Sequence, residues 1–222
     1  MLKSAHLALA LAISAVSLGI GPAYAENMPM AADVDHLRAE WERITYLVKD
    51  SSEQLKEINA LCKEADAVVA RYPGHAEPLL WDGIITSETA GMASVFRQLG
   101  LAKEARALFE HALAIDPQGV NGSVQMSLGV LYYRVPGFPV GFGDDAVARR
   151  DLETGLAMDP DGLDANYFYG DFLIEQGEYA KAKTVLTHAL AAPANPDRPV
   201  WDKGRRGEVE ELLAKVDKHL AS

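Results

Sequence analysis

The sequence predicts an all-α fold: a right-handed superhelical solenoid of antiparallel helix pairs, finished by a C-terminal capping helix. Three observations predict it. First, the segments LFEHALAIDPQG (108–119), DLETGLAMDPDG (151–162) and VLTHALAAPANP (185–196) align in register, each the end of a helix stopped at proline. Second, apolar residues recur at three- and four-residue spacing along most of the chain, the period of a helix with one buried face. Third, the alternating patterns that mark strands are almost absent.

The chain opens with Lys3, an apolar run from Leu7 to Ile20 broken only by Ser14 and Ser17 among polar residues, then Gly21-Pro22 and Ala23-Tyr24-Ala25. A charged start, a short apolar stretch and a small-x-small exit describe a secretory signal peptide, residues 1–25, cut after Ala25. The run is too short for a membrane span, which needs about 20 apolar residues, and no later segment supplies one. Glu26 follows the cut where a lipid-bearing cysteine would stand, so the expectation is a soluble, unlipidated periplasmic protein. The net charge is −11, and removing the leader, whose only charged side chain is Lys3, makes it more negative. That balance opposes nucleic acid and anionic lipid, since both need clustered positive charge. Cys62 is the only cysteine, so no internal disulfide can form.

Residues 26–32 read as a flexible leader, and the first helix pair spans about 34–73. Leu37, Trp41, Ile44 and Val48 form one stripe; Ser51 with Gln54 reads as a capping box for a second helix carrying Leu55, Ile58, Cys62, Ala65 and Val69. That helix ends near Tyr72, before Pro73-Gly74. The second pair, about 76–117, has a long first helix from Glu77 to Gln98, interrupted by Gly91, and a second helix with Ala105, Phe109 and Ala112. The third pair, about 121–160, places Leu128-Gly129 and Tyr132 on its first helix and Ala148, Leu152 and Gly155 on its second.

The fourth pair, 163–194, is the most regular. Gly170, Gly177, Tyr179, Ala182, Leu186 and Ala189 alternate small and large residues as two closely packed antiparallel helices require. Gly177 can take the left-handed conformation that ends the first helix. The Ala-Leu or Gly-Leu pairs beginning at Ala112, Gly155 and Ala189 lie 43 and 34 residues apart, and the second interval is the period of a tetratricopeptide repeat. Val209, Leu212, Leu213, Val216 and Leu220 then form a capping helix, about 200–220, which a solenoid needs to hide its last apolar face.

Nothing in the sequence assembles a catalytic set. The six histidines are scattered, with no metal-ligand spacing and no partner cysteines, and neither a nucleophile elbow nor a P-loop occurs. The expectation is a protein without enzymatic activity or cofactor. Asp159, Asp161 and Asp164 cluster, but Gly162 is misplaced for a calcium loop, and the segment reads as an inter-repeat turn with Asp164 capping the next helix.

The informative feature is an insertion. Twelve residues separate Gly170 from Ala182, whereas Gly129 and Ala148 lie 19 apart, so seven extra residues fall within loop 134–144. It carries Pro136, Pro139, Phe138, Phe142 and glycines 137, 141 and 143. Those rings either cover a repeat junction or meet a ligand or partner, and both need burial. First-helix positions that line the concave face are Ser123, Met126, Val130 and Tyr133, then Asp164, Tyr167, Asp171 and Ile174. The candidate ligand- or partner-binding set is therefore Met126, Tyr133, Phe138, Phe142, Asp144, Tyr167 and Asp171, an aromatic recess with an acidic edge for a small apolar ligand or a protein partner.

From Leu128 to Leu213 the chain resembles the T component associated with TRAP (tripartite ATP-independent periplasmic) transporters. The carrying residues are Leu128-Gly129, Tyr132-Tyr133, Pro136-Gly137-Phe138-Pro139, Phe142-Gly143-Asp144, Pro160, Tyr167 to Gly170, Arg198, Asp202, Arg205-Arg206 and Leu212-Leu213. The resemblance implies a helical, periplasmic, non-enzymatic protein that docks a periplasmic substrate-binding protein, and a homo-oligomer, since characterised members look like trimers with a ligand-lined pore through each protomer. Many members are lipoproteins, and this chain departs from them there. The alternative is a general repeat scaffold for envelope assembly that binds peptides on its concave face.

Overall fold

A computed structural model describes residues 22–221, so the apolar leader Leu7–Ile20 lies outside the described residues. Helices follow one another in the order α1 (Pro22–Leu47), α2 (Ser51–Arg71), α3 (Ala76–Met92), α4 (Val95–Ile115), α5 (Ser123–Arg134), α6 (Asp145–Met158), α7 (Leu163–Glu175), α8 (Tyr179–Ala191) and α9 (Pro199–Leu220). Among the described residues there is no strand, only an isolated bridge between Gly137 and Gly143. The most extensive packing lies within the pairs α3/α4, α5/α6 and α7/α8, as in a solenoid of helical hairpins.

One side-chain device recurs in three pairs. A Cβ on Gly83 would overlap the Phe109 ring, one on Gly129 would overlap Leu152, and one on Gly170 would overlap Leu186. Phe109, Leu152 and Leu186 are each fully buried. A large residue of the second helix thus fills the notch that glycine leaves on the first, bringing the two axes close. Loss of packing contact on either side would be felt directly, because interiors are filled to crystal-like density.

Several element boundaries differ from the sequence expectation. The N-cap of α2 is Asp50, whose carboxylate accepts from the Glu53 N–H at 2.8 Å, not Ser51. Gln54 instead donates to the Ile44 carbonyl at 3.1 Å, tying the start of α2 to the end of α1. The expected helix from Glu77 to Gln98 is broken: α3 stops at Met92, Ala93 and Ser94 are extended, and α4 begins at Val95. Antiparallel return of α4, which seats Phe109 against Gly83, outweighs the local preference for an unbroken helix. Gly162, not Asp164, is the N-cap of α7, and the Asp164 carboxylate faces α9. Residues 26–32 fall within α1, where Met30 packs partly on the core.

The ends of the solenoid meet. Helix α9 packs on α7 and α8, as a cap should, and also on α1. One hydrophobic cluster accordingly contains Leu37 and Trp41 of α1, Trp81 of α3, Leu173 of α7, Leu186 of α8, and Trp201 and Val209 of α9. Arg198 donates from Nε to Glu42 at 2.6 Å, and the Tyr46 hydroxyl donates to Glu208 at 3.4 Å. Gly204 lies against Tyr46 so closely that any Cβ there would overlap the ring. The superhelix is therefore closed into a ring, with the first helices of the pairs facing inwards.

Candidate functional site

The ring encloses a cavity of about 940 Å³. Its apolar wall comes from every odd-numbered helix: Trp41 of α1, Trp81 and Ile84 of α3, Met126 and Val130 of α5, and Tyr167 of α7, with Arg205 and Glu208 from α9. Trp41 and Trp81 meet edge-on at 6.0 Å. A concave, mostly apolar pocket of this size with a few polar groups is the usual form of a small-molecule site.

The structure separates the seven sequence-derived residues into three groups. Met126 and Tyr167 line the cavity. Tyr133 and Asp171 lie behind its wall: the Tyr133 hydroxyl donates to Asp171 at 2.6 Å, and Arg134, which does line the cavity, donates to the same carboxylate. Asp171 is 5% exposed, so the pair joins α5 to α7 rather than presenting an acidic edge. Burial, reinforced by Asp171, holds the Tyr133 phenol well above its ordinary pKa, so it stays a neutral donor.

The loop residues form the third group. Phe142 packs edge-on against Tyr132 at 5.6 Å, under the Arg106 guanidinium at 4.4 Å, and so covers the junction of α4 and α5. Phe138 is 94% exposed at the loop tip. Asp144 is the N-cap of α6, accepting from the Ala146 and Val147 N–H groups at 2.9 and 3.1 Å. The loop is held at its base by Asp144 N–H to the Tyr132 carbonyl (2.9 Å) and Gly143 N–H to the Pro136 carbonyl (3.0 Å). What the loop offers the cavity is Val135, Pro136 and Val140. Val140 and Val95 are both exposed at its edge, and Phe96, 96% exposed, follows Val95 directly. The mouth is thus rimmed by apolar side chains.

The candidate set read from the sequence left out the charged groups of the wall. Arg205 lies on the buried stripe of α9 with Trp201, Val209, Leu212 and Val216, and a cation on an apolar stripe was the available signal. It is 6% exposed, sits 4.3 Å from the centre of the Tyr167 ring, pairs with Asp164 at 2.6 Å and donates to Glu208 at 2.6 Å. Burial opposes its charge, but Asp164, Tyr46 and Glu208 more than offset this and keep its pKa above the ordinary value. Burial also pushes the Tyr167 phenol up to about 12. Arg198 stacks on Trp201 at 4.4 Å while bound to Glu42. Glu88 lines the same wall, one helical turn beyond Ile84, and burial raises its carboxyl pKa.

No three His, Cys, Asp or Glu side chains converge as metal ligands among the described residues, and no described helix is long and apolar enough to cross a membrane. Half-buried Cys62 stands 3.1 Å from the Thr89 hydroxyl, and burial raises its thiol pKa, the opposite of what a reactive cysteine needs.

Tetratricopeptide-repeat profiles match residues 142–206 and 91–118. No curated protein sequence matches the chain. Among solved structures it is similar to TTC0263, a thermophilic TPR protein in Thermus thermophilus, with a TM-score of 0.56 at 14% identity, covering 86% of this chain and 95% of that one. It is also matched to MamA AMB-1 with a TM-score of 0.47 at 17% identity, over 85% and 95% of the two chains. Over its described residues the chain is a solenoid of helical hairpins, with tetratricopeptide-repeat matches at residues 91–118 and 142–206.

Proposed function

We propose that this is an exported, non-enzymatic binding protein that encloses a small apolar or amphipathic ligand and serves as the auxiliary component of a TRAP-type solute transporter. Closure of α9 onto α1 is the observation that carries it. An open solenoid offers its concave face to an extended peptide, whereas here that face has become a cavity of about 940 Å³. That favours a small ligand over the peptide of a general envelope scaffold. A partner would be met at the exposed apolar edge, where Val95 and Val140 line the cavity and the exposed Phe96 and Phe138 lie beside them in sequence; the substrate-binding protein of the transporter fits that role.

Export rests on the leader sequence and gains support from Pro29. Proline inside a helix leaves a carbonyl without its donor, but after cleavage at Ala25 it falls in the first turn, where no such bond is made. The mature protein should therefore begin at Glu26 in the periplasmic fraction. The decisive experiment is to purify it from that fraction as bait, then analyse the product by native mass spectrometry and identify captured proteins. A retained small molecule and a transporter component are expected. An empty protein that captures neither a permease nor a substrate-binding component sinks the transport reading.

A further inference from the structure

We infer that the cavity selects amphipathic molecules with a cationic head, an alkylammonium or similar group, seated on Glu88. The inference rests on the ligand-binding reading of the cavity and adds the charge of what it takes.

Each arginine of the wall is already committed. Arg134 holds Asp171, Arg198 holds Glu42, and Arg205 holds Asp164 and Glu208. Three of the wall's aromatic rings are engaged too: Arg198 lies over Trp81, and Arg205 over Tyr167 and Phe168. Each of these guanidinium charges is already offset by at least one carboxylate, so an anionic head would have to share a cation that another anion holds rather than meet an unpaired one. Glu88 is different. It lines the cavity and makes no hydrogen bond or ion pair among the described residues. Burial opposes its ionised form most, Arg205 favours it and Glu208 opposes it, so a cationic head seated there would supply the counter-charge that the wall does not. Asp159, a second wall carboxylate, likewise makes no side-chain hydrogen bond or ion pair among the described residues. Carboxylates thus outnumber the cations facing the cavity. A cation at Glu88 gains a charge-assisted hydrogen bond in surroundings that weaken the competing water. The donors Trp41 Nε1 and Thr45 Oγ1 have no partner either, but both atoms are sealed within the wall and cannot recruit an anion.

The test is isothermal titration of the purified protein at pH 7 with decylamine, decanol and decanoate, for the wild type and for Glu88→Gln, whose near-identical shape preserves the fold. Decylamine should bind the wild type roughly tenfold tighter than decanol, the size of one charge-assisted hydrogen bond, and decanoate should bind weakest. Glu88→Gln should bring decylamine down to the level of decanol and leave decanol unchanged. Equal affinity for decylamine and decanol, or an amine preference that survives Glu88→Gln, overturns the assignment of the cation to Glu88. If decanol itself fails to bind, the ligand-binding reading falls with it. Melting curves of both proteins, expected to coincide, separate a binding defect from misfolding.

Discussion

Arg198 and Glu42 stand 156 positions apart in sequence and 2.6 Å apart in space. Their bond joins the segment leading into α9 to the C-terminal part of α1, and so ties a curved stack of helical hairpins into a closed ring. Both side chains are largely buried, with 19% and 9% of the side-chain surface exposed. The pair is consequently more sensitive to loss of one partner than to loss of both.

Ring closure predicts an asymmetry. Glu42→Ala leaves Arg198 without its counter-charge and should cost about 3 kcal/mol in urea unfolding, whereas Glu42→Leu with Arg198→Met should recover most of that loss. Gly204→Val should separate α9 from Tyr46, because the added carbons have nowhere to go. Its radius of gyration by small-angle scattering should rise, and ligand binding should be lost. An unchanged radius would mean that the contact between the ends is not what closes the cavity.

The insertion predicts a contrast between two phenylalanines. Phe142→Ala removes a half-buried ring from Tyr132 and Arg106 and should lower stability by about 2 kcal/mol. Phe138→Ala removes an exposed ring and should change stability by less than about 0.5 kcal/mol. If Phe138 instead serves the mouth, its loss should appear only in partner capture. Equal destabilisation by the two substitutions would contradict the placement of the rings.

A pH effect is predicted at Asp82, which is 2% exposed in α3 and pushed up to about 7 by burial, with Asp66 and Glu104 adding to the shift. Below about pH 4 the group is protonated in both folded and unfolded chains. Between there and 7 only the unfolded chain ionises, so its contribution to stability falls as pH rises, then levels off. Asp82→Asn keeps the acceptor that Thr86 uses and removes this slope. The variant should gain about 4 kcal/mol on wild type between pH 4 and pH 8, read from urea midpoints at a series of pH values. A constant difference across that range would show that Asp82 titrates normally.

The sequence by itself determined the helical hairpins. The notches at Gly129 and Gly170 and their partners Leu152 and Leu186 are local in the chain, within one repeat of each other, and the repeat makes them recur. Met126 and Tyr167 could be placed on the inner face for the same reason, since helical spacing alone decides which side of its own helix a residue occupies. Boundaries were less legible. The break after Met92 and the Asp50 cap depend on how neighbouring helices return, and local preferences do not report that.

What only the tertiary structure decided is how far the superhelix turns, and therefore that its ends meet. That angle accumulates over all the repeat interfaces, and no single residue announces it. Hence nothing in the local sequence pairs Glu42 with Arg198 or buries Arg205; α9 coming to rest on α1 does both. The loop followed the same logic: its composition demanded some burial, but only packing decided that Phe142 would be covered and Phe138 left in water. Helix periodicity is a property of neighbours in sequence, whereas ring closure, and the cavity with Glu88 in its wall, depend on contacts between the two ends of the chain.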